Sequence, residues 1–163
     1  MGMLADLAMQ RFGMVVDVAE DAPGSETLAA ILSHRTHRRF LNKPVAEDTL
    51  NLLFACALSA PAKSDLQQVA IIRVQNSEKR KDIAALMPDM GWIGTCPVFL
   101  LFCGDSRRIR KLGELRGHPF ANDHLDAFLN AAVDTALVMQ NFIIAAQAAG
   151  LGCCPISIVR NHI

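Results

Sequence analysis

The chain has 163 residues, of which 52% are hydrophobic and 20% charged, which suffices for one domain with its own core and excludes intrinsic disorder. Sixteen lysines and arginines balance sixteen aspartates and glutamates, so the formal net charge is zero. A neutral chain has no broad positive field, and this excludes nucleic acid as a partner recognised by bulk charge.

The first part of the chain is an arm followed by two predicted helices. Residues 1–24 mix apolar, acidic and small residues, and the sequence assigns no definite structure to this N-terminal arm. Ser25 is the predicted N-cap of a helix that ends near His34. A cationic cluster over 34–39 follows, and apolar residues at helical spacing predict a second helix over 46–59.

A polar loop over 61–68 leads into the middle of the chain, where two strands are predicted. Residues 69–74 are rich in β-branched side chains, which favours a strand. A helix is predicted over 77–86, and the continuous apolar run at 98–103 has the length of a buried strand. Residues 106–120 are basic and irregular, which predicts a solvated loop or a short helix.

The longest periodic segment covers residues 123–149 and is apolar nearly all round, as expected of a helix at the centre of a molecule. Asp134 is one of the polar residues that interrupt it and argue against a membrane span. The segment Gly150-Leu151-Gly152 ends the helix, and residues 153–159 predict a short buried strand. Several helices with few strands and no strict alternation predict an α+β fold.

The cysteines indicate a reducing compartment. The chain has five of them, an odd number, with no CxxC spacing, and two are adjacent. Adjacent cysteines rarely meet the geometry of a disulfide, so free thiols and a cytoplasmic location are expected. Asp6 and Arg11 interrupt the apolar start of the chain, which does not fit a signal peptide.

The cationic cluster is the sharpest local feature of the sequence. Four of the sixteen cationic residues, Arg35, Arg38, Arg39 and Lys43, lie within ten positions. A guanidinium group can bind two phosphate oxygens at once, and the hydroxyl of Thr36 adds a donor. Two interpretations remain open, an anion site or a set of cations that balances the dipole of the preceding helix.

The polar loop is the second candidate. Its lysine, serine, aspartate and glutamine side chains would suit the polar edge of a ring system, and an ordinary solvated connection is the alternative. The five histidines form no HxxxH or HExxH pair, and no GxSxG segment is present, so the sequence predicts neither a metal site nor a serine nucleophile of the hydrolase type.

Four segments, taken in order, resemble the FMN-dependent nitroreductase family. They are residues 34–40 followed by Lys43-Pro44 (HRTHRRF and KP), residues 59–67 (SAPAKSDLQ), residues 134–152 (DTALVMQNFIIAAQAAGLG) and residues 154–157 (CPIS). In the family, the segment that corresponds to the first of these holds the FMN phosphate and ribityl chain, and the second lies beneath the flavin ring. The third forms the dimer helix, and the fourth flanks the reactive face of the flavin.

The resemblance covers residues 25–163, which it implies are a nitroreductase-like FMN-binding domain after the arm at 1–24. The implied fold is an antiparallel or mixed sheet flanked by helices around a long central dimer helix. Family members continue with a further helix, a last strand and a C-terminal stretch that adds a cation to the phosphate site. We therefore expect this chain to lack the family's C-terminal part.

Eleven residues have cofactor-binding roles by this resemblance, and the chemistry is expected of the flavin, with no catalytic side chain. The residues expected at the phosphate are His34, Arg35, Thr36 and Arg38. Those expected at the isoalloxazine are Ala62, Lys63, Asp65 and Gln67. Those expected across the ring are Pro155, Ile156 and Ser157. Ala62 and Asp65 depart from the family's usual serine and asparagine, and a carboxylate there would disfavour a reduced anionic flavin.

The implied function is electron transfer from NAD(P)H through FMN to a nitroaromatic, quinone or similar small acceptor, by a ping-pong mechanism. The implied partner is a second copy of the chain, paired through residues 123–149, with FMN at the interface. The alternative is a non-catalytic flavin-binding or small-ligand-binding dimer of the same fold. No nucleic acid or membrane partner is expected.

Overall fold

The computed structural model describes residues 2–19 and 21–158 and shows a mixed α and β architecture. The helices in these ranges are α1 (Met3–Phe12), α2 (Ser25–Leu32), α3 (Glu47–Leu58), α4 (Ser77–Ala85), α5 (Trp92–Thr95), α6 (Arg107–Arg116) and α7 (Leu125–Ala148). The strands are β1 (Val69–Arg73) and β2 (Leu100–Gly104), paired antiparallel with Val69 opposite Gly104. Short 3-10 turns lie at Lys63–Asp65 and Pro88–Met90.

Helix α7 is the centre of the molecule, and α3 and the two strands pack against it. Val138 and Phe142 of α7 are buried with Leu53 of α3 and Val69 of β1. The ring of Phe142 lies 5.7 Å from that of Phe102 on β2, edge to face, so α7 contacts both strands of the sheet. Burial of these side chains is the main source of stability for the central layer.

A second apolar cluster lies behind the strands, around the short helix α5. Its buried members are Met87, Ile93, Cys96 and Phe99. Phe40 and Ile156, which lie far apart in the sequence, both pack against this cluster. One apolar core therefore holds both the end of the cationic cluster and the segment predicted as the last strand.

Helix α7 is long and apolar enough to cross a membrane by length and composition alone, and it is the one such helix in the part of the chain that the structure describes. The same composition is typical of the core helix of a globular protein. Its buried polar residues Asn130 and Asp134 and its packing against α3, β1 and β2 match the second description.

Most predicted elements are confirmed. The arm, to which the sequence assigns no definite structure, contains helix α1, which packs against α2. Of the two alternatives for residues 106–120, a loop or a short helix, the structure has the helix, the ten-residue α6. One boundary is corrected, because Gly24, not Ser25, is the N-cap of α2, and Ser25 is the first residue of the helix.

The predicted strand at 153–159 is wrong over its described residues. Only Cys153 pairs, in an isolated parallel bridge with Thr36, and Val159 lies outside the described residues. The β-branched composition that predicted a strand instead serves packing, because Ile156 belongs to the second apolar cluster. Pro155 has no N–H to donate to a ladder, which explains why pairing stops after the bridge.

Two glycines set the path of the chain after α7. Gly150 has a φ of 73°, the left-handed conformation that ends many helices. Gly152 lies against the imidazole of His37, and a Cβ at this glycine would meet the ring and Cβ of His37 at 2.7–2.9 Å. Glycine at 152 therefore permits close approach between the end of α7 and the cationic cluster.

Replacement of Phe142 by alanine is expected to lower the free energy of unfolding by about 3–5 kcal/mol, because it leaves a cavity between α3, α7 and β2. Urea denaturation followed by circular dichroism measures the change. Leu115→Ala on α6 is the control, since Leu115 is 75% exposed and should change stability by no more than about 0.5 kcal/mol. An equal loss in both variants would contradict the assigned core.

Candidate functional site

The cationic cluster begins at His34, whose imidazole is fixed by the end of α7. His34 Nδ1 lies 2.9 Å from Gln147 Oε1. The Gln147 amide nitrogen donates to the carbonyl of Ala30 and, at 3.0 Å, to Ser33 Oγ. Because the Ala30 carbonyl can only accept, the Gln147 amide oxygen must face His34, so Nδ1 is the donor of this hydrogen bond.

The arginines that follow are exposed and have no acidic partner. No carboxylate in the described chain lies within 4.0 Å of a charged nitrogen of Arg35, Arg38 or Arg39. The C-terminal carbonyls of α2 are contacted instead by Arg11 of α1, which donates at 2.9 Å to the carbonyls of Leu32 and His34. The helix end is thus capped from another element, which favours the anion-site interpretation of the cluster over the dipole interpretation.

A backbone bridge connects the cationic cluster to residues 155–157. Thr36 pairs with Cys153, and the His37 N–H donates to the Cys153 carbonyl at 2.9 Å. Pro155, Ile156 and Ser157 follow directly, with Ile156 anchored in the second apolar cluster. The structure therefore brings together the residues predicted for the phosphate and the residues predicted to lie across the ring.

The adjacent thiols are held in their protonated form. Burial raises the pKa of the Cys153 thiol, and the neighbouring Cys154 raises it further. Burial also raises the pKa of Cys154, against the opposing effect of the nearby Arg38 guanidinium. A raised pKa lowers the thiolate fraction at neutral pH, so neither residue has the character of a nucleophile.

The polar loop has an unusual backbone. Ser64, Asp65 and Gln67 have φ values of 51°, 54° and 47°, a left-handed conformation that costs free energy in non-glycine residues. The side chains of Lys63, Asp65 and Gln67 are exposed. Such a conformation persists only where the surroundings hold it in place.

Asp134 of α7 holds this loop at both ends. Its Oδ1 accepts the Lys63 N–H at 3.0 Å and its Oδ2 accepts the Gln68 N–H at 3.1 Å. The Asp134 side chain is 1% exposed, so these bonds are shielded from water. Gln68 is also fully buried, but its side-chain amide has no hydrogen-bond partner in the described chain, so its backbone provides the anchor.

Arg108 holds the same loop from the solvent side. Its Nη2 donates to the carbonyl of Gln67 and, at 3.3 Å, to that of Leu66. The Gln68 carbonyl accepts the Asp105 N–H at 2.9 Å, just before α6 begins. The loop is therefore fixed by its amides to α7 and by its carbonyls to α6.

The two groups of predicted site residues contact different parts of α7. The loop is bound at Asp134, while His34 is bound at Gln147, thirteen residues further along the helix. At a rise of about 1.5 Å per residue, these two positions are roughly 20 Å apart. No hydrogen bond or ion pair joins residues 34–38 to residues 62–67 within one chain.

Each of the two donor sets suits one part of an organic anion that carries a flat polar ring. Exposed guanidinium groups and the Thr36 hydroxyl suit a phosphate, and the backbone and side chains of the loop suit the polar edge of a ring. Among the described residues, no group of three or more histidine, cysteine, aspartate or glutamate side chains could hold a metal ion.

Sequence reasoning missed four residues that position the site: Arg11, Arg108, Asp134 and Gln147. A signal was present for the two on α7, because buried polar side chains in an apolar helix are usually hydrogen-bonded. No comparable signal exists for Arg11 and Arg108, since their backbone acceptors lie 21 and more residues away in the sequence.

Comparison with known proteins finds a matching family and similar relatives. The model of the Nitroreductase family matches residues 31–162. The chain is 35% identical over 142 residues to the FMN reductase [NAD(P)H] of Bacillus subtilis (strain 168), covering 85% of this chain and 56% of the relative. It is 31% identical over 137 residues to the NADPH-flavin oxidoreductase of Vibrio harveyi, covering 84% of this chain and 55% of the relative.

The fold matches solved structures at similar identity. The structure of NfrA2 from B. megaterium superposes with a TM-score of 0.79 and 34% sequence identity, over 83% of this chain and 55% of that one. The chain therefore spans about half the length of the relatives that it matches.

Proposed function

The chain belongs to the nitroreductase family, and from that membership we propose that it is an FMN-dependent oxidoreductase. We propose that it takes electrons from NAD(P)H and passes them to a nitroaromatic, a quinone or a similar small acceptor. The observation that carries the proposal is a set of exposed arginines that have no acidic partner among residues 2–19 and 21–158. The Thr36–Cys153 bridge holds these arginines beside residues 155–157.

The phosphate of FMN would be bound by the cationic cluster. Arg35 and Arg38 supply charged donors, and Thr36 supplies a hydroxyl. His34 is held beside them by the hydrogen bond between its Nδ1 and Gln147. An anion that binds here forms charge-assisted hydrogen bonds without first breaking an ion pair, which is a favourable condition for phosphate recognition.

The isoalloxazine ring would be contacted by the loop from Ala62 to Gln67 and by residues 155–157. Ring nitrogens and oxygens require both donors and acceptors, and Lys63, Asp65 and Gln67 are exposed to supply them. Because Asp65 contributes a negative charge, it would favour the oxidised ring over a reduced anion and so help the release of electrons to the acceptor.

Bound FMN supplies the redox chemistry, a two-electron transfer from nicotinamide to acceptor in a ping-pong sequence. The side chains of this site then act by binding and orienting, since the raised pKa values of Cys153 and Cys154 leave them without nucleophilic character. The donor set of arginines, a hydroxyl and the exposed loop side chains fits a flavin phosphate and ring, and the described residues offer no metal cluster.

The site would be completed by a second copy of the chain. The first half of α7 exposes an apolar stripe opposite its buried face. Its members are Leu125, Phe128, Leu129, Val133 and Leu137. An isologous pairing through residues 123–149 would cover this stripe, and it would allow the loop of one protomer and the cationic cluster of the other to share one FMN.

A cytoplasmic location follows from the same proposal. The five cysteines are free thiols, which suits a reducing compartment, and NAD(P)H is a soluble electron donor.

Purified protein is expected to bind FMN and to bind riboflavin, which lacks the phosphate, much more weakly. Quenching of flavin fluorescence measures both affinities. Anaerobic NAD(P)H should then bleach the visible flavin band, and a quinone should restore it. Binding without bleaching would support the non-catalytic flavin-binding alternative, while failure to bind FMN would contradict the proposed function.

Arg35→Ala is expected to weaken FMN binding by about 1.5–3 kcal/mol, because it removes a charge-assisted contact to the phosphate. Riboflavin binding should be unaffected, since the lost contact is to the phosphate alone. Arg116→Ala, an exposed arginine at the end of α6, is the matched control for loss of one positive charge. An equal effect in both variants would remove Arg35 from the site.

Phe128→Asp is expected to convert a dimer into a monomer, because Phe128 is 69% exposed in the single chain and lies within the apolar stripe. Light scattering after gel filtration should give about twice the 17.7 kDa chain mass for the wild type and the single mass for the variant. Leu115→Asp, on the exposed face of α6, should leave the dimer intact. A monomeric wild type would refute pairing through α7.

A further inference from the structure

We infer that Asp134 is a positioning residue for the flavin-contacting loop, an inference that rests on the proposed function. The Asp134 side chain is hydrogen-bonded to the backbone of the loop and not to the side chains proposed to contact the cofactor. It acts through the loop, because one carboxylate receives the N–H groups of Lys63 and Gln68, which lie on either side of Asp65 and Gln67 in the sequence.

The loop needs such a clamp because its own conformation is unfavourable. Three of its residues, Ser64, Asp65 and Gln67, have left-handed backbone conformations without being glycine. The clamp lies on both sides of them, so the ends of the loop cannot relax independently. The Arg108 guanidinium adds a second restraint through the carbonyls of Leu66 and Gln67.

The chemistry of Asp134 suits this role better than a general role in stability. A carboxylate can accept two N–H donors at once, one on each oxygen, whereas an amide of the same size offers a single acceptor. The described chain places no cation within 4.0 Å of this buried carboxylate, so its hydrogen bonds come from the two loop amides. Both oxygens of the Asp134 carboxylate thus accept hydrogen bonds from the loop.

The position of Asp134 on α7 also connects the loop with the proposed dimer. At 100° per residue, Asp134 lies on the face of α7 opposite Leu125 and Leu129 of the apolar stripe. One helix therefore presents its stripe to a partner and holds the loop on its other side. Rigid attachment to this helix would fix the ring-binding loop relative to the partner's phosphate-binding cluster.

Hydrogen exchange in the flavin-free, full-length protein tests the clamp directly. In Asp134→Ala, the amides of Lys63 and Gln68 should exchange faster by about tenfold or more, the factor that corresponds to loss of one typical hydrogen bond. Asp134→Asn keeps one acceptor and should accelerate only one of the two amides; it is also the milder variant if the alanine variant folds poorly. Unchanged exchange at both amides would overturn the inference.

Val138→Ala is the matched control, because Val138 is buried one turn further along α7 in the main core and makes no hydrogen bond to the loop. It should lower the unfolding free energy without selective exchange at residues 63 and 68. Equal acceleration at these amides in the control would assign Asp134 a merely structural role.

Flavin binding separates positioning from stability. Asp134→Ala should weaken FMN and riboflavin by the same factor, about tenfold or more, because the loop contacts the ring and not the phosphate. Val138→Ala should bind both flavins as the wild type does. Full affinity in Asp134→Ala would contradict the positioning role, whereas a wild type that binds no flavin but shows the exchange effect would contradict the proposed function and leave the clamp established.

Discussion

The structure depends on a helix that must satisfy polar groups inside an apolar body. Helix α7 lies in the core, so each polar side chain on its buried face needs a partner. Asp134 finds two loop amides, and Gln147 finds His34, Ser33 and the Ala30 carbonyl. The need to pair these polar side chains therefore fixes the two segments to which we assign cofactor binding. One is fixed near the middle of α7 and the other at its end.

Charge in this protein is arranged locally and not in bulk. Acidic and basic residues are equal in number, yet the segment after α2 concentrates arginines that pair with no carboxylate of the residues the structure describes. Arg11 caps the end of α2, so the arginines of the cationic cluster are not needed for capping. A site for an anion can form in this way on a neutral protein, because only the immediate field matters where the ligand is bound by contact.

The elements that follow from local periodicity were predictable from the sequence, and those that follow from distant contacts were not. Helix α7, helix α3 and strand β1 were predicted because their apolar spacing reflects the core that they form. The arm hid helix α1, whose reason to form is its packing on α2. Residues 153–158 were misassigned because a short apolar segment has the same composition whether it pairs in a sheet or, like Ile156, packs against an apolar cluster. The site residues were proposed through family resemblance. Arg11 and Arg108 hold the proposed site residues across distances that no local pattern encodes, whereas Asp134 was visible as a polar residue in an apolar helix.

Gly152 has a consequence for how this region tolerates change. The ring of His37 lies on a backbone without a side chain, so one imidazole sets the spacing between the segment that bears the arginines and the segment that bears Pro155. Any side chain at 152 would push these two segments apart, because its Cβ would meet the ring and Cβ of His37 at 2.7–2.9 Å. Attempts to diversify this protein by mutagenesis should therefore treat the pair as one unit, with bulk added at 152 only where it is taken away at 37.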